Sequence, residues 1–148
     1  MFRRIAMGAL LCGLAAVAAS CNNTTTTEPT GNTTTETFTG TLTPNGANTH
    51  TFLVATAGTI NATIESIGPD ATQTMGFSLG TFNALTNVCT VVMDNPSGVV
   101  GFLLNGVAAT NGTYCIRVYD SGSVAAAAAS GLISSATPWT YAVAVTHP

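Results

Sequence analysis

From residue 38 onward, apolar and polar side chains alternate with a period of two, in short runs broken by Gly, Pro and Asn. That period puts alternate residues on opposite faces of a strand. Strands are predicted at 38–42, 49–55, 59–67, 74–82, 88–94, 99–104, 111–120 and 138–146. The run 59–67 is the cleanest, with Ile60, Ala62 and Ile64 inward and Thr59, Asn61, Thr63 and Glu65 outward. Its neighbours end on Pro44-Asn45-Gly46, Gly68-Pro69-Asp70, Asn95-Pro96-Ser97-Gly98 and Asn105-Gly106, all turn-forming sequences. In 111–120 both faces are bulky: Tyr114, Ile116 and Val118 on one, Cys115, Arg117 and Tyr119 on the other. That is the signature of a central strand covered on both sides. One stretch, 124–129, runs through five consecutive alanines, and a short helix or an irregular loop fits it equally well. Ser123 would cap such a helix and Gly131 would end it. Eight short strands and no long amphipathic helix predict an all-β, antiparallel β-sandwich.

The first residues follow a different pattern. Arg3 and Arg4 precede an apolar run from 5 to 17, then Ala18, Ala19, Ser20 and Cys21. This is the layout of a secretory signal, and the run is shorter than the ~20 residues of a membrane span. Val17-Ala18-Ala19-Ser20-Cys21 resembles the lipobox of bacterial lipoproteins, with Ala18 where that family usually has Leu. The resemblance implies cleavage before Cys21 and lipidation of its thiol. The lipid bilayer would then be a partner, and the outer membrane of the cell envelope the expected location. An ordinary signal cut near Ala19 is the alternative. The stretch 22–37 is Asn, Thr, Glu, Pro and Gly without an apolar residue, a composition that does not repay the entropy of ordering. As a flexible tether it would reach roughly 20 Å. The expected division is a signal at 1–20, a tether at 21–36 and a sandwich domain at 37–148.

Charge narrows the partners. Only 6% of the 148 residues are charged, and hydrophobic residues make up 46%. Past the signal, Arg117 is the only cation, set against Glu28, Glu36, Glu65, Asp70, Asp94 and Asp120. Nucleic acid and anionic lipid surfaces need basic patches, so both are excluded as electrostatic partners. Arg117 is expected to pair with Asp120, Asp94 or Glu65. Of the cysteines, Cys12 leaves with the signal and Cys21 is consumed by lipid. Cys89 and Cys115 remain in an oxidising compartment, and a disulfide between them is predicted.

Three segments resemble a known family. They are Phe38-Thr39-Gly40-Thr41-Leu42 with Thr51-Phe52-Leu53-Val54 and Gly58-Thr59-Ile60, then Gly112-Thr113-Tyr114, then Tyr141-Ala142-Val143-Ala144-Val145. Together they look like the opening, penultimate and closing strands of a bacterial pre-peptidase C-terminal domain. That resemblance implies a small jelly-roll-like β-sandwich that accompanies exported enzymes, some members binding polymers and some calcium. This chain has no catalytic domain and no clustered acids for calcium.

No constellation of catalytic residues stands out. His50 and His147 are the only histidines, and no His-x-His or Cys-x-x-Cys spacing is present, so no metal site and no cofactor is expected. There is no Gly-x-Ser-x-Gly elbow, and Glu65 and Asp70 are isolated from other acids. Tyr114, Tyr119, Tyr141 and Trp139 could line a sugar platform, against the plainer role of core and edge residues; of these, Tyr119 and Trp139 are the candidate contacts for a ligand such as a polysaccharide or protein. The expected function is a non-catalytic binding or accessory module. A purely structural envelope protein and a small hydrolase are the alternatives. An exposed aromatic strip would favour binding, and a uniform Thr/Asn surface a structural role. Oligomeric state is left open by the sequence.

Overall fold

The computed structural model describes residues 32–134 and 137–148. Eight strands and one helix come in the order β1 (Thr34–Leu42), β2 (Ala47–Val54), β3 (Gly58–Gly68), β4 (Met75–Asn83), β5 (Val88–Gly98), β6 (Leu103–Ala108), β7 (Gly112–Tyr119), α1 (Ser123–Ala129) and β8 (Trp139–His147). They form two four-stranded sheets, ordered β1-β8-β3-β6 and β2-β7-β4-β5. All pairings are antiparallel. This alternation of strands between sheets is the jelly-roll arrangement. The central position read for 111–120 is the one β7 occupies, between β2 and β4.

The core lies between the sheets. Trp139, Phe77, Ile60, Ile64, Met75 and Ile116 are its largest fully buried side chains. The period-two pattern works as expected in β3: Ile60, Ala62 and Ile64 are buried while Thr59 and Glu65 are exposed. A register shift between Ile64 and Ser66 then returns Ile67 to the core, as a β-bulge does.

Four boundaries differ from the sequence reading, each for a local reason. β1 begins at Thr34, inside the stretch read as tether, because residues 34–36 pair with Thr146 and its neighbours on β8. β5 continues through Asn95 and Pro96 to Gly98. Its outer side has no strand neighbour, so a missing N–H is tolerated there. The run 99–102 is a turn, closed by a hydrogen bond from Phe102 N–H to the Val99 carbonyl (2.9 Å) with Gly101 at φ 84°. β6 therefore starts later and runs through Asn105-Gly106 instead of stopping there. Gly106 sits under Leu79, where a Cβ would come 2.5 Å from the Leu79 Cδ2.

The alanine run is a helix. Ser123 makes no capping bond to it; the start is held by Asp120, whose Oδ1 accepts from Gly122 and Val124 N–H (2.7 and 2.9 Å) and whose Oδ2 accepts from Ala125 N–H (3.1 Å). At the other end Gly131, at φ 77°, donates to Ala128, and Leu132 donates to Ala127. That pair of bonds is a Schellman stop.

Candidate functional site

The edge strands of the two sheets face one another at two seams, β1 with β2 and β6 with β5, and the two seams are built differently. At the first, β1 turns into β2 through residues 43–46, closed by Gly46 N–H to the Thr43 carbonyl (2.8 Å). Phe38 on β1 stacks on His50 on β2 with ring centroids 5.1 Å apart. His50 Nε2 and the Tyr141 hydroxyl share a 2.7 Å hydrogen bond, and the Asn48 amide donates to the Thr41 carbonyl at 2.7 Å. Burial lowers the pKa of His50, so the ring is neutral at neutral pH. Burial likewise raises the pKa of Tyr141, against a lowering hydrogen bond from Asn48. This seam is filled.

At the second seam, β5 passes to β6 through the turn at 99–102, and the strands then part. Between them lies an apolar cleft of about 150 Å³ whose walls include Ile60, Leu79, Met93 and Tyr114. Val92 and Val107 stand on its rim, 72% and 74% exposed. Leu103, Val88 and Val91 add further exposed aliphatic surface along the same strands. Exposed apolar residues at the mouth of a cleft are a feature of interaction sites. This cleft is the candidate site, and of the residues that line it the sequence singles out only Tyr114 as a possible ligand contact.

A disulfide holds one wall. Cys89 on β5 and Cys115 on β7 are bonded, with Cα atoms 6.0 Å apart. The predicted pairing is therefore correct, but the strands are not neighbours, because β4 runs between them. Two ladder spacings would separate such strands by about 9.5 Å. β5 is thus folded over the outer face of β4, and its Thr90 carbonyl occupies the place where a Cβ on Gly80 would sit. Only glycine permits that approach. The register shift between Leu79 and Gly80 marks the bend.

The outer face of the β2-β7-β4-β5 sheet carries a polar cluster. Arg117 and Asp94 both lie opposite Ser78, on β7 and β5 respectively. The Ser78 hydroxyl donates to Asp94 Oδ1 at 2.7 Å, and the Tyr119 hydroxyl reaches both Asp94 oxygens at 2.9 Å. Burial first, then Asp94, raises the pKa of Tyr119 against the opposing charge of Arg117. Arg117 makes no ion pair among the described residues. Its guanidinium lies over the Tyr119 ring, 4.9 Å from the centroid. Of the expected carboxylate partners, Asp94 is taken by hydroxyls, Asp120 by four backbone N–H groups including that of Asn45 (2.9 Å), and Glu65 makes no ion pair with Arg117 among the described residues. Burial works to raise the Asp120 pKa, but those four donors outweigh it and hold the carboxyl below its ordinary value. Tyr119, one of the two candidate ligand contacts, is half-buried and already engaged in this cluster.

Trp139, the other candidate, is a core residue. It is fully buried, and its Nε1–H has no acceptor among the described residues. A surface cleft of about 270 Å³ lies above it, lined also by Leu42, Pro44 and Ile133. The indole nitrogen has no accessible surface, so a ligand there would not reach it without displacing the wall. Tyr114 and Tyr141 are buried as well, which leaves no exposed aromatic strip among the described residues. His147 is a strand-end residue as expected but is buried, with Nε2 3.0 Å from Glu36 Oε1 and its ring 5.1 Å from that of Phe52. No cluster of three metal-ligating side chains occurs among the described residues. Cys21 lies outside them.

No protein-family model matches the chain, and no curated protein matches it in sequence. Among solved structures, it is similar to the mitogen derived from Yersinia pseudotuberculosis, with a TM-score of 0.51 and 16% identity over 78% of this chain and 86% of that one. At that identity the likeness concerns the fold.

Proposed function

We propose that this chain is an exported lipoprotein, anchored in the bacterial cell envelope through lipid on Cys21, that displays a non-catalytic sandwich for binding a polymeric ligand. The observation that carries the binding role is the unsealed β5–β6 seam, an apolar cleft with Val92 and Val107 on its rim. Its lining is mostly aliphatic, and the one ring in its wall, Tyr114, is buried, so a protein segment suits it better than a sugar chain, which stacks on exposed rings. The accessory role implied by the resemblance to pre-peptidase C-terminal domains agrees with this reading. The exposed Val and Leu cluster favours binding over a purely structural role. The anchor rests on the lipobox-like sequence before Cys21, and a bonded cysteine pair is at home in an exported chain.

A photo-reactive residue at position 92 of the full chain tests the site in intact envelopes. The expected result is a cross-linked band of another envelope protein from position 92 and none from position 39, exposed on β1 at the filled seam. Equal capture from both positions would remove the cleft from the argument. Cys21→Ser is expected to move the exported protein into the soluble fraction. An acidic sandwich has little affinity of its own for an anionic membrane, and stable anchoring needs more than one acyl chain.

A further inference from the structure

The outer edge of β6 is the least guarded strand edge in the molecule. A sheet edge offers unpaired N–H and C=O groups to any second strand, and proteins block such edges with charges, proline or bulges. β5 has Asp94, Pro96 and two register shifts. β1 carries Glu36, and β1 and β2 close on one another at the filled seam. β6 reads Leu103-Leu104-Asn105-Gly106-Val107-Ala108, without charge or proline, and pairs with β3 in unbroken register. None of the backbone hydrogen bonds outside the ladders among the described residues reaches residues 103–108.

We infer that β6 pairs with β6 of a second copy, antiparallel about a two-fold axis at Asn105, to join two four-stranded sheets into one of eight. Three features point to a second copy as the occupant. The first is charge. The described domain carries Glu36, Glu65, Asp70, Asp94 and Asp120 against Arg117 alone, so two copies repel except where they meet through an uncharged surface. β6 and the facing segment of β3, from Gly58 to Thr63, are such a surface. The second is the spacing of exposed residues. Leu103, Asn105 and Val107 all face outward, so pairing about Asn105 sets Leu103 of each copy against Val107 of the other. Cross-strand aliphatic pairs of this kind stabilise sheets. At 50% and 74% exposure, both residues have apolar surface left to bury.

The third feature is Asn105 itself. Its Nδ2 donates to Asn61 Oδ1 on β3 at 2.6 Å. That uses one of two N–H groups and leaves the other N–H and the carbonyl oxygen, a self-complementary set. Opposed across a two-fold axis, two such amides satisfy one another and complete a ladder Asn61–Asn105–Asn105–Asn61. A polar residue at an apolar contact fixes register in this way. The inference goes beyond the binding role proposed above, which a monomer fulfils equally well. Its failure would leave the cleft reading standing.

The experiment is Asn105→Cys in the full, exported chain, with mild oxidation and a non-reducing gel. Directly opposed residues in an antiparallel pair have Cα atoms about 4.5–5.5 Å apart, within disulfide range. A reducible dimer is expected from position 105 and not from Thr39→Cys on β1. Sedimentation of the soluble Cys21→Ser chain reads the same equilibrium without new thiols. A dimer is expected, weakened at least about tenfold by Val107→Lys, which sets a cation against Leu103 of the other copy. Val107 is exposed, so this change leaves the core intact, and an unchanged circular dichroism spectrum verifies that. A monomer at all accessible concentrations would overturn the inference. So would a dimer indifferent to Val107→Lys, or a cross-link from position 105 to a different protein.

Discussion

The two seams of the sandwich solve one problem in opposite ways. Each must close the gap where the chain leaves one sheet for the other. At the β1–β2 seam Phe38, His50 and Tyr141 fill the gap with rings, and two side-chain hydrogen bonds cross it. At the β5–β6 seam the strands part and leave Leu79 and Met93 under an open cleft with valines on its rim. The open seam is held from a distance instead, by a disulfide that pulls β5 toward β7. A filled seam needs no covalent help. An open one does, because the contacts that would stabilise β5 from the facing sheet are missing.

The largest expected effect comes from that difference. Reducing the Cys89–Cys115 bond, or replacing both residues with serine, is expected to cost about 3.5 kcal/mol by loop entropy for a sequence separation of 26. Denaturant unfolding with and without reductant measures it. β5 should be the element that loosens, read as faster amide exchange at 88–94 than in β2. A loss under about 1 kcal/mol would mean that the β4–β5 ladder alone holds the wall, and the contrast between the seams would fail. Leu79→Ala comes next, at about 2 kcal/mol, near the lower end for such truncations because the cleft beside it is already open. A cost of about 5 kcal/mol would show a seam sealed as tightly as the core.

The two seams are unequally legible in the sequence. Alternation in 59–67 and 111–120 sets the faces of β3 and β7, because burial on one side imposes a period of two. The cysteine pair follows from redox logic, but its geometry does not: nothing in 88–94 states that β5 folds over β4, since that depends on Gly80 meeting the Thr90 carbonyl. The cleft is hidden for a related reason. Val92 reads as an ordinary strand valine and Val107 falls between two predicted strands, so neither stands out, although both are exposed on the rim. Gly106 reads as a turn residue and is not one, because an Asn-Gly pair signals a turn wherever packing does not require a missing side chain. Residue type makes Trp139 a candidate ligand contact, and the core claims it. A signal for Asp120 is present: an acid just ahead of Ser123 and the alanine run is a helix-start pattern.

Asp120 ties the filled seam to α1, since it accepts from Asn45 in the β1–β2 turn as well as from the helix start. Asp120→Ala is expected to cost about 1–2 kcal/mol in unfolding free energy. Its carboxyl pKa is lowered in the folded state. The stability it contributes is therefore complete above the ordinary aspartate value and is lost as pH falls through the lowered one. The alanine variant should show a shallower loss of stability in acid. His50 acts with the same sign at higher pH. Burial lowers its folded pKa from 6.5, so the unfolded chain takes up the proton first and stability declines as pH falls below about 6.5. Tyr141→Phe removes the hydroxyl from the 2.7 Å bond to His50 and is expected to cost about 1 kcal/mol. A variant as stable as the parent would show that ring packing alone fills the seam.

The smallest effect is expected at the rim of the open seam, and it is the sharpest test of what that seam is for. Val92 and Val107 are 72% and 74% exposed, so each gives the fold little buried area. Val107 also belongs to the β6 edge, so the test uses Val92 alone: Val92→Thr keeps the β-branched shape that suits a strand and changes only the polarity of the surface. Stability should stay within about 0.5 kcal/mol of the parent, as for surface substitutions generally. A photo-reactive residue at position 88, exposed on the same strand, would then report on ligand capture without occupying the altered site. Capture is expected to fall sharply while the unfolding curve does not move. If instead Val92→Thr unfolds more readily by about 2 kcal/mol or more, Val92 packs against something in the free protein and the rim is not exposed for a ligand. If capture is unchanged at unchanged stability, the apolar rim does not make the contact, and the open seam is only the weaker of two ways to close a sandwich.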